Sequence, residues 1–368
     1  MNRRLGISIY PEHSTMDKDK EYVDLAHKYG FERIFMCMLS VEKPKDEIRR
    51  EFSEIIGYAK ERGFEVILDI APNIFDKLGI SYDDLSFFNE LGASGIRLDL
   101  GFDGAKEAML SFNKYGMKIE INMSNDVAYI DNIMTYKPNT PFIYGCHNFY
   151  PQKGTALPYD FFVKCSQRFK KYGVRTAAFI NSQTAEIGPW NINDGLCTLE
   201  DHRSLPVEVQ AKHLFATGLI DDVIIGNAYA SEEELERLSK VNRYQVELAV
   251  ELVDNVSDVE KTIIFDEQHY RRGDITHEVV RSTEVRKKYG KYDIKNHDND
   301  VIFKRGDVLI GNNDFGKYKG ELQIALRACG DNRKNLVGRV REEEKILLDF
   351  IEPWSKFIFE EYKKGSKS

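Results

Sequence analysis

The sequence predicts an α/β protein, a (β/α)8 barrel of the TIM type followed by a smaller, mostly-β domain. Three observations carry that expectation. Six times a helical pattern closes on a glycine and gives way to an apolar strand: HKYG-FERIFMCML, KERG-FEVILDI, NELG-ASGIRLDL, NKYG-MKIEINM, KKYG-VRTAAFI and ATG-LIDDVIIG. Eight strand-like runs fall before residue 230, with room for helices between them, as a closed parallel barrel requires. After about residue 240 the alternation stops, and short apolar runs separated by Gly, Asn and Asp replace it.

Taken in order, RLGISIY opens the barrel. An open nucleotide-binding sheet is the alternative, but Tyr10-Pro11-Glu12 stands where that fold needs a glycine-rich turn. FERIFMCML, FEVILDI, ASGIRLDL and MKIEINM follow as the second to fifth strands. The helix before the third places Ile48, Phe52, Ile55 and Ala59 on one face. PFIYGCHNF, VRTAAFI and LIDDVIIG complete the set, and SEEELERLSKV supplies the last helix. Gly30, Gly63, Gly92, Gly116, Gly173 and Gly218 suit the left-handed residue that ends a helix. Lys28, Lys60, Lys114, Lys170 and Lys171 sit near those ends, where a cation complements the helix dipole. The boundary is expected at residue 240, giving domains 1–240 and 241–368. In the second, RYQVELAVELVDN is expected to be a linking helix. TIIFDEQHY, KYDIKNH, DVIFKRGDVLIG, GELQIALRAC, NLVGRV and KFIFEEY are expected to be strands.

Composition narrows the function classes. A chain of 368 residues with net charge -8 and 42% hydrophobic residues is not built to bind nucleic acid or an anionic membrane. No run is long enough to span a bilayer, and the amino end is too short in apolar residues for a signal peptide, so a cytoplasmic protein is expected. Five scattered cysteines form neither a disulfide framework nor a CxxC metal pair and read as reduced thiols. His202 and His213, in the segment leading to a helix, read as surface residues. No His/Asp/Glu group has metal-ligand spacing, so neither a metal nor another cofactor is expected. Without a GxSxG elbow or a Cys-His pair, carboxylate chemistry is the natural reading.

The barrel says where those carboxylates should be. Outward residues of each strand pack on helices, whereas inward residues fill the barrel and line the site at its carboxyl end. In KIEINMSND the apolar Ile119, Ile121 and Met123 alternate with Glu120, Asn122 and Ser124, which places the glutamate inside. The same parity sends Ser8, Tyr10 and Glu12 to one face, pairs Arg97 with Asp99, and groups Asp69, Ala71 and Asn73. His147, Asn148, Tyr150, Asn181 and Asn227 gather at later strand ends. Arg97 is the natural ion-pair partner of Asp69, Asp99 or Glu120, and several unpaired inward charges would cost several kcal/mol each. A set of this size therefore points to a site.

Paired carboxylates among Asn, Tyr and His suit a sugar: one protonates the leaving oxygen, and the other attacks or stabilises an oxocarbenium-like centre. Asp99 and Glu120, on consecutive strands, are the expected pair, with Asp69 and Glu12 as rivals for either role. GIRLDLGF is similar to the Gly-x-Arg-x-Asp strand of α-amylase-type barrels, in which that aspartate is the nucleophile. Residues 269–295 carry eight Lys/Arg against four Asp/Glu. There Arg271, Arg272, Arg281 and Arg286 are candidates to grip an anion. The competing anion position lies after strands seven and eight, at Asn181-Ser182 and Gly226-Asn227-Ala228. An isomerase or lyase acting on a sugar phosphate, or a sugar-phosphate-binding protein without catalysis, fits the same pattern.

ISIYPEHS, FMCML, LDIAPN, GIRLDLGF, IEINMSN, GCHNFYPQ, FINS, HYRRGD, VVRST and YKGELQIAL together resemble one bacterial family, the 6-phospho-N-acetylmuramidases. The resemblance runs in order over nearly the whole chain. It implies a TIM barrel followed by a cyclophilin-like β domain, and hydrolysis of the β-1,4 bond of a phosphorylated amino-sugar disaccharide, MurNAc 6-phosphate–GlcNAc, in cytosolic cell-wall recycling. The substrate's acetamido group leaves a substrate-assisted route open. The second domain is expected to cap the barrel mouth and to read the phosphate or the lactyl carboxylate.

Overall fold

The computed structural model describes residues 1–39, 43–81 and 83–363, and leaves the side chains of Pro72 and Asn73 aside. The expectation for Asn73 therefore lies outside the described residues. Two compact units divide the chain, Met1–Lys240 and Val241–Ser368.

The first unit is the closed barrel. Its strands are β1 (Arg4–Ile9), β2 (Arg33–Cys37), β3 (Glu65–Ile70), β4 (Gly95–Leu98), β5 (Lys118–Asn122), β6 (Ile143–Cys146), β7 (Arg175–Ile180) and β8 (Asp222–Ile225). They pair in parallel in chain order, and β8 returns to β1. Around them run α1 (Met16–Lys28), α2 (Lys45–Glu61), α3 (Pro72–Leu78), α4 (Ser86–Glu90), α5 (Ala105–Leu110), α6 (Tyr129–Thr135), α7 (Tyr159–Lys170), α8 (Val207–Ala216) and α9 (Glu232–Lys240). The six repeat glycines do end their turns left-handed, with φ between +67° and +89°. On α2 the stripe Ile48, Phe52, Ile55 and Ala59 is buried. Ile119 and Ile121 on β5, and Met123 just after it, are fully buried, and Glu120 is buried on the opposite side of the strand.

The expected surface position of His202 and His213 is overturned. Both are buried, with Nε2 of His202 2.7 Å from Nδ1 of His213. His213 lies on α8, which is covered along nearly its whole circumference from Val207 to Phe215, and His202, in the turn Glu200–His202 before it, packs against His213. Burial, followed by the neighbouring His213, pushes the His202 imidazole well below its ordinary pKa.

The second unit is a seven-stranded sheet in the order β10-β15-β9-β14-β12-β13-β11. Its strands are β9 (Val246–Leu252), β10 (His269–Tyr270), β11 (Val279–Ser282), β12 (Asp307–Gly311), β13 (Leu322–Ala325), β14 (Lys334–Val340) and β15 (Lys356–Glu361). Three expectations fail here. The proposed linking helix is strand β9, which runs parallel to β15 and antiparallel to β14. VELAVEL has good helix formers, but Val246, Leu248 and Val250 recur at strand period, and pairing on both edges prevails over propensity. TIIF of TIIFDEQHY instead ends the helix α10 (Asp258–Phe265), opened by a capping box between Ser257 and Glu260. KYDIKNH lies outside any strand, and a short helix α11 (Val285–Tyr289) precedes it.

Candidate active site

Asp69, Arg97 and Glu120 are successive register partners on β3, β4 and β5. Strand parity therefore brings all three to the barrel interior. Asp99 follows immediately after β4, its N–H donating to the Ile70 carbonyl, which fixes it one step higher. Arg97 is the hub: its Nη1 donates to Asp69 Oδ1 at 2.5 Å and to Asp99 Oδ1 at 3.3 Å. Its Nη2 donates to Asn148 Oδ1. The two carboxylate oxygens can be no farther apart than the sum of those two distances, about 5.8 Å.

A pocket of about 150 Å³ opens over this hub, lined by Leu39, Asp69, Arg97, Asp99, Asn148, Phe149, Phe179 and Trp190. Trp190 is 45% exposed and lies 6.0 Å from the Phe149 ring, which packs edge-on against Phe35 and Phe179. The pocket thus combines two carboxylates with an accessible aromatic face, the apolar-body-and-polar-tip pattern of ligand sites. Sequence reasoning missed Leu39, Phe149, Phe179 and Trp190. Phe149 adjoins the quoted Asn148, and Trp190 is one of only two tryptophans in the chain, which was a usable signal.

The two aspartates differ in environment. Asp69 is 3% exposed, and its pKa is raised to about 7. Burial is the largest cause. Arg97 opposes it, and the negative charges of Asp99 and Glu120 add to the rise. The Asp99 side chain is 32% exposed, so water solvates its charge. One protonatable acid beside one solvated carboxylate is the division of labour that general-acid chemistry needs.

Glu120 belongs to a different layer. It is fully buried and ion-paired with Arg33, itself fully buried. Arg33 Nη1 donates to Asp222 Oδ2 at 2.8 Å, and Asp222 also accepts from Arg4 at 2.8 Å and from Arg175 at 2.5 Å. Burial acts to raise the Asp222 pKa, but the three arginines prevail and hold it below the ordinary carboxylate value. This network lies outside the lining of the pocket.

The remaining predicted residues divide between support and periphery. Asn122 donates to the Asp99 carbonyl at 3.3 Å and accepts from the Ser124 N–H at 2.9 Å, which braces the strand end. Ser124 Oγ in turn accepts from the Asn148 N–H at 2.7 Å. His147 points away from the pocket, its Nδ1 3.2 Å from Ser124 Oγ and its Nε2 2.9 Å from Ser166 Oγ on α7. Burial first, then Arg97, pushes its pKa down to about 3, so it is neutral. Tyr10 is buried, and its hydroxyl donates to the Gly226 carbonyl. Tyr150 is half-buried, and its carbonyl accepts from Arg203 at 3.1 Å. Glu12, half-buried on the turn Pro11–His13, is not among the lining residues.

The usual anion position of this barrel class is filled from within. Glu234 in the first turn of α9 is buried, and it accepts from Ser182 Oγ at 2.5 Å, Thr184 Oγ1 at 2.6 Å and the Gln183 N–H at 2.8 Å. Asn181 accepts from the Leu196 N–H at 2.9 Å and donates to the Arg203 carbonyl at 3.2 Å. Asn227 accepts from the Ser182 N–H at 2.8 Å and donates to the carbonyls of Ser182 and Ala185. The donors expected to hold an anion here are thus committed to the protein itself. In the second unit Arg271 donates to the carbonyls of Ile351 at 2.7 Å and Thr276 at 3.0 Å. Arg281 instead forms a two-point ion pair with Glu321 at 2.7 and 3.1 Å.

Among the described residues no three His, Cys, Asp or Glu side chains converge as a metal-binding group, and all five cysteines are free. No helix among the described residues is long and apolar enough to cross a membrane.

Comparison with known proteins agrees with this architecture. The chain is 59% identical to a B. cereus protein whose crystal structure is described as uncharacterized, over 98% of this chain and 100% of that one, with a TM-score of 0.92. A conserved Enterococcus faecalis protein of unknown function shares the fold at 24% identity and a TM-score of 0.72, over 99% of this chain and 97% of that one. No protein of curated function matches. The family model described as 6-phospho-N-acetylmuramidase, N-terminal, matches residues 5–240, and its C-terminal counterpart matches residues 246–360. With both models matched over nearly all its length, the chain belongs to the 6-phospho-N-acetylmuramidase family.

Proposed function

We propose that this chain is a glycoside hydrolase that cleaves the β-1,4 bond of MurNAc 6-phosphate–GlcNAc, a cytosolic step of peptidoglycan recycling, with Asp69 and Asp99 as its catalytic pair. The observation that carries this is the raised acid of Asp69 within about 5.8 Å of Asp99, facing a pocket with an exposed tryptophan. Protonated Asp69 gives its proton to the glycosidic oxygen as the bond to the anomeric carbon breaks. The Asp99 carboxylate bonds to that carbon from the other side. Water then attacks the same carbon, its proton passes to Asp69, and Asp99 is released. A short separation favours this retaining course over an inverting one, which needs roughly 6.5 to 9.5 Å to admit a water. Arg97 keeps both side chains in place and offsets the second negative charge. The cyclophilin-like character that the family resemblance implies for the second unit carries no isomerase activity with it, because fold does not dictate function.

The test is mass-resolved product analysis with MurNAc 6-phosphate–GlcNAc. Wild type should release two monosaccharides with the anomeric configuration retained, and Asp99→Asn and Asp69→Asn should each lose about 10²- to 10⁴-fold in kcat. An intact disaccharide with wild type, or an isomer of unchanged mass, would overturn the hydrolase reading. Inverted product would remove Asp99 as nucleophile, and retention that persists in Asp99→Asn would leave the acetamido group as the attacking atom.

A further inference from the structure

In the second unit, one carboxylate gathers two guanidinium groups. Glu321, at the turn into β13, is fully buried; Arg281 of β11 binds it at two points, and Arg286 of α11 donates to its Oε2 at 2.8 Å. A single buried carboxylate needs one cation to offset its charge, so the second is surplus. Other carboxylates in the same segment have cations of their own: Asp274 pairs with Arg272, and Glu284 pairs with Lys287. The guanidinium groups are held in place. Each lies over the Tyr318 ring, 5.9 Å for Arg281 and 5.0 Å for Arg286.

Held in this way, both arginines still face outward. Their side chains are 23% and 24% exposed, and a guanidinium has five N–H donors. Arg281 gives two hydrogen bonds to Glu321 and Arg286 gives one, so donors remain on both. A second observation points to a ligand. Gln323, 5% exposed, donates its amide N–H to Glu321 at 2.9 Å, and its Oε1 is left without a hydrogen-bond partner. An unanswered carbonyl acceptor beside surplus guanidinium donors matches a group that carries both negative oxygens and a hydroxyl.

We propose that Arg281, Arg286, Tyr318 and Gln323 form an anion site on the second unit that takes the phosphate monoester of a phosphorylated sugar. The choice of a sugar phosphate, rather than another anion, rests on the hydrolase reading above.

The test is calorimetric titration of the full chain with glucosamine 6-phosphate, inorganic phosphate and GlcNAc. Wild type should bind the sugar phosphate, inorganic phosphate should compete, and GlcNAc should not bind this site. Arg286→Ala leaves the two-point pair between Arg281 and Glu321 intact and should weaken binding at least tenfold. Glu321→Gln frees both guanidiniums and should tighten it. Thermal melts establish that both variants fold. Equal affinity in wild type and both variants, or equal binding of GlcNAc, would overturn the site. The two readings fail separately. Disaccharide cleavage with titrations indifferent to Arg286 removes only the anion site, whereas Arg286-dependent binding without cleavage removes only the hydrolase.

Discussion

Two arginine–carboxylate clusters inside the barrel differ in what surrounds them. In the inner network, Asp222 receives Arg4, Arg33 and Arg175, and Arg33 also holds Glu120. Cations match or exceed anions there, and the Asp222 carboxyl is held down. In the pocket cluster one arginine serves Asp69 and Asp99 together. Anions exceed cations, one carboxylate is buried, and its pKa rises to about 7. The same two residue types thus hold one carboxyl below its ordinary pKa and push the other above it. Both carboxyls are buried, so what separates them is the local ratio of arginine to carboxylate.

The comparison is broken most severely at Asp222. Asp222→Asn leaves the buried Arg33 and the partly buried Arg4 and Arg175 around a neutral amide, and removing one partner of a buried ion pair costs about 3–5 kcal/mol. Denaturant unfolding should show a loss of that order, or a chain that does not fold. Near-wild-type stability would mean that the inner network is not a scaffold. Asp69→Asn should behave in the opposite sense. A carboxyl whose folded pKa lies above its unfolded value of about 4 stabilises the protein fully below pH 4. That contribution is lost as pH rises through about 7. Wild type should therefore lose stability from pH 4 to pH 8 relative to Asp69→Asn, by about 2–4 kcal/mol at 1.36 kcal/mol per pKa unit. Parallel stability curves for the two proteins across that range would contradict a raised Asp69. A substitution that stabilises at pH 8 and removes catalysis is the trade-off expected of a strained active-site charge.

The sequence revealed the barrel more readily than the pocket, for a physical reason. Barrel strands alternate with helices whose ends need a left-handed glycine, so Gly30, Gly63 and the others marked the connections, and parity alone put Asp69, Arg97, Asp99 and Glu120 inside. Depth was not readable. Glu120 lies on β5 and Asp99 just past the end of β4, and only Asp99 of the two reaches the pocket, because strand tilt decides which interior layer a residue joins. Arg33 opens β2, and its partners Glu120 and Asp222 are far away in sequence. Trp190 comes from the segment between β7 and α8, where no periodicity marks a residue as facing a site. In the second unit, VELAVEL had helix-forming residues but sheet neighbours on both edges. The S-x-x-E signature of Ser257 and Glu260 was the local signal that separates α10 from a strand.

Glu120 offers the finest probe of the comparison, because its charge belongs to the inner network and yet reaches the pocket. It is a register neighbour of Arg97, and its negative charge is among the influences that raise Asp69. Glu120→Gln keeps the shape and leaves Arg33 its Asp222 partner, so the barrel should still close. With that charge gone, Asp69 loses its proton at lower pH. The proposed mechanism requires protonated Asp69, so on that reading kcat/KM falls as pH rises through the Asp69 pKa. The descending limb, near pH 7 in wild type, should therefore move to lower pH by up to about one unit, the usual spread from such neighbours. Below that limb kcat should stay within about threefold of wild type, because a group outside the pocket touches no reacting atom. A profile of kcat/KM against pH for both proteins decides it. A loss as large as that of Asp99→Asn at every pH would make Glu120 a catalytic carboxylate, and the two clusters would then be one site.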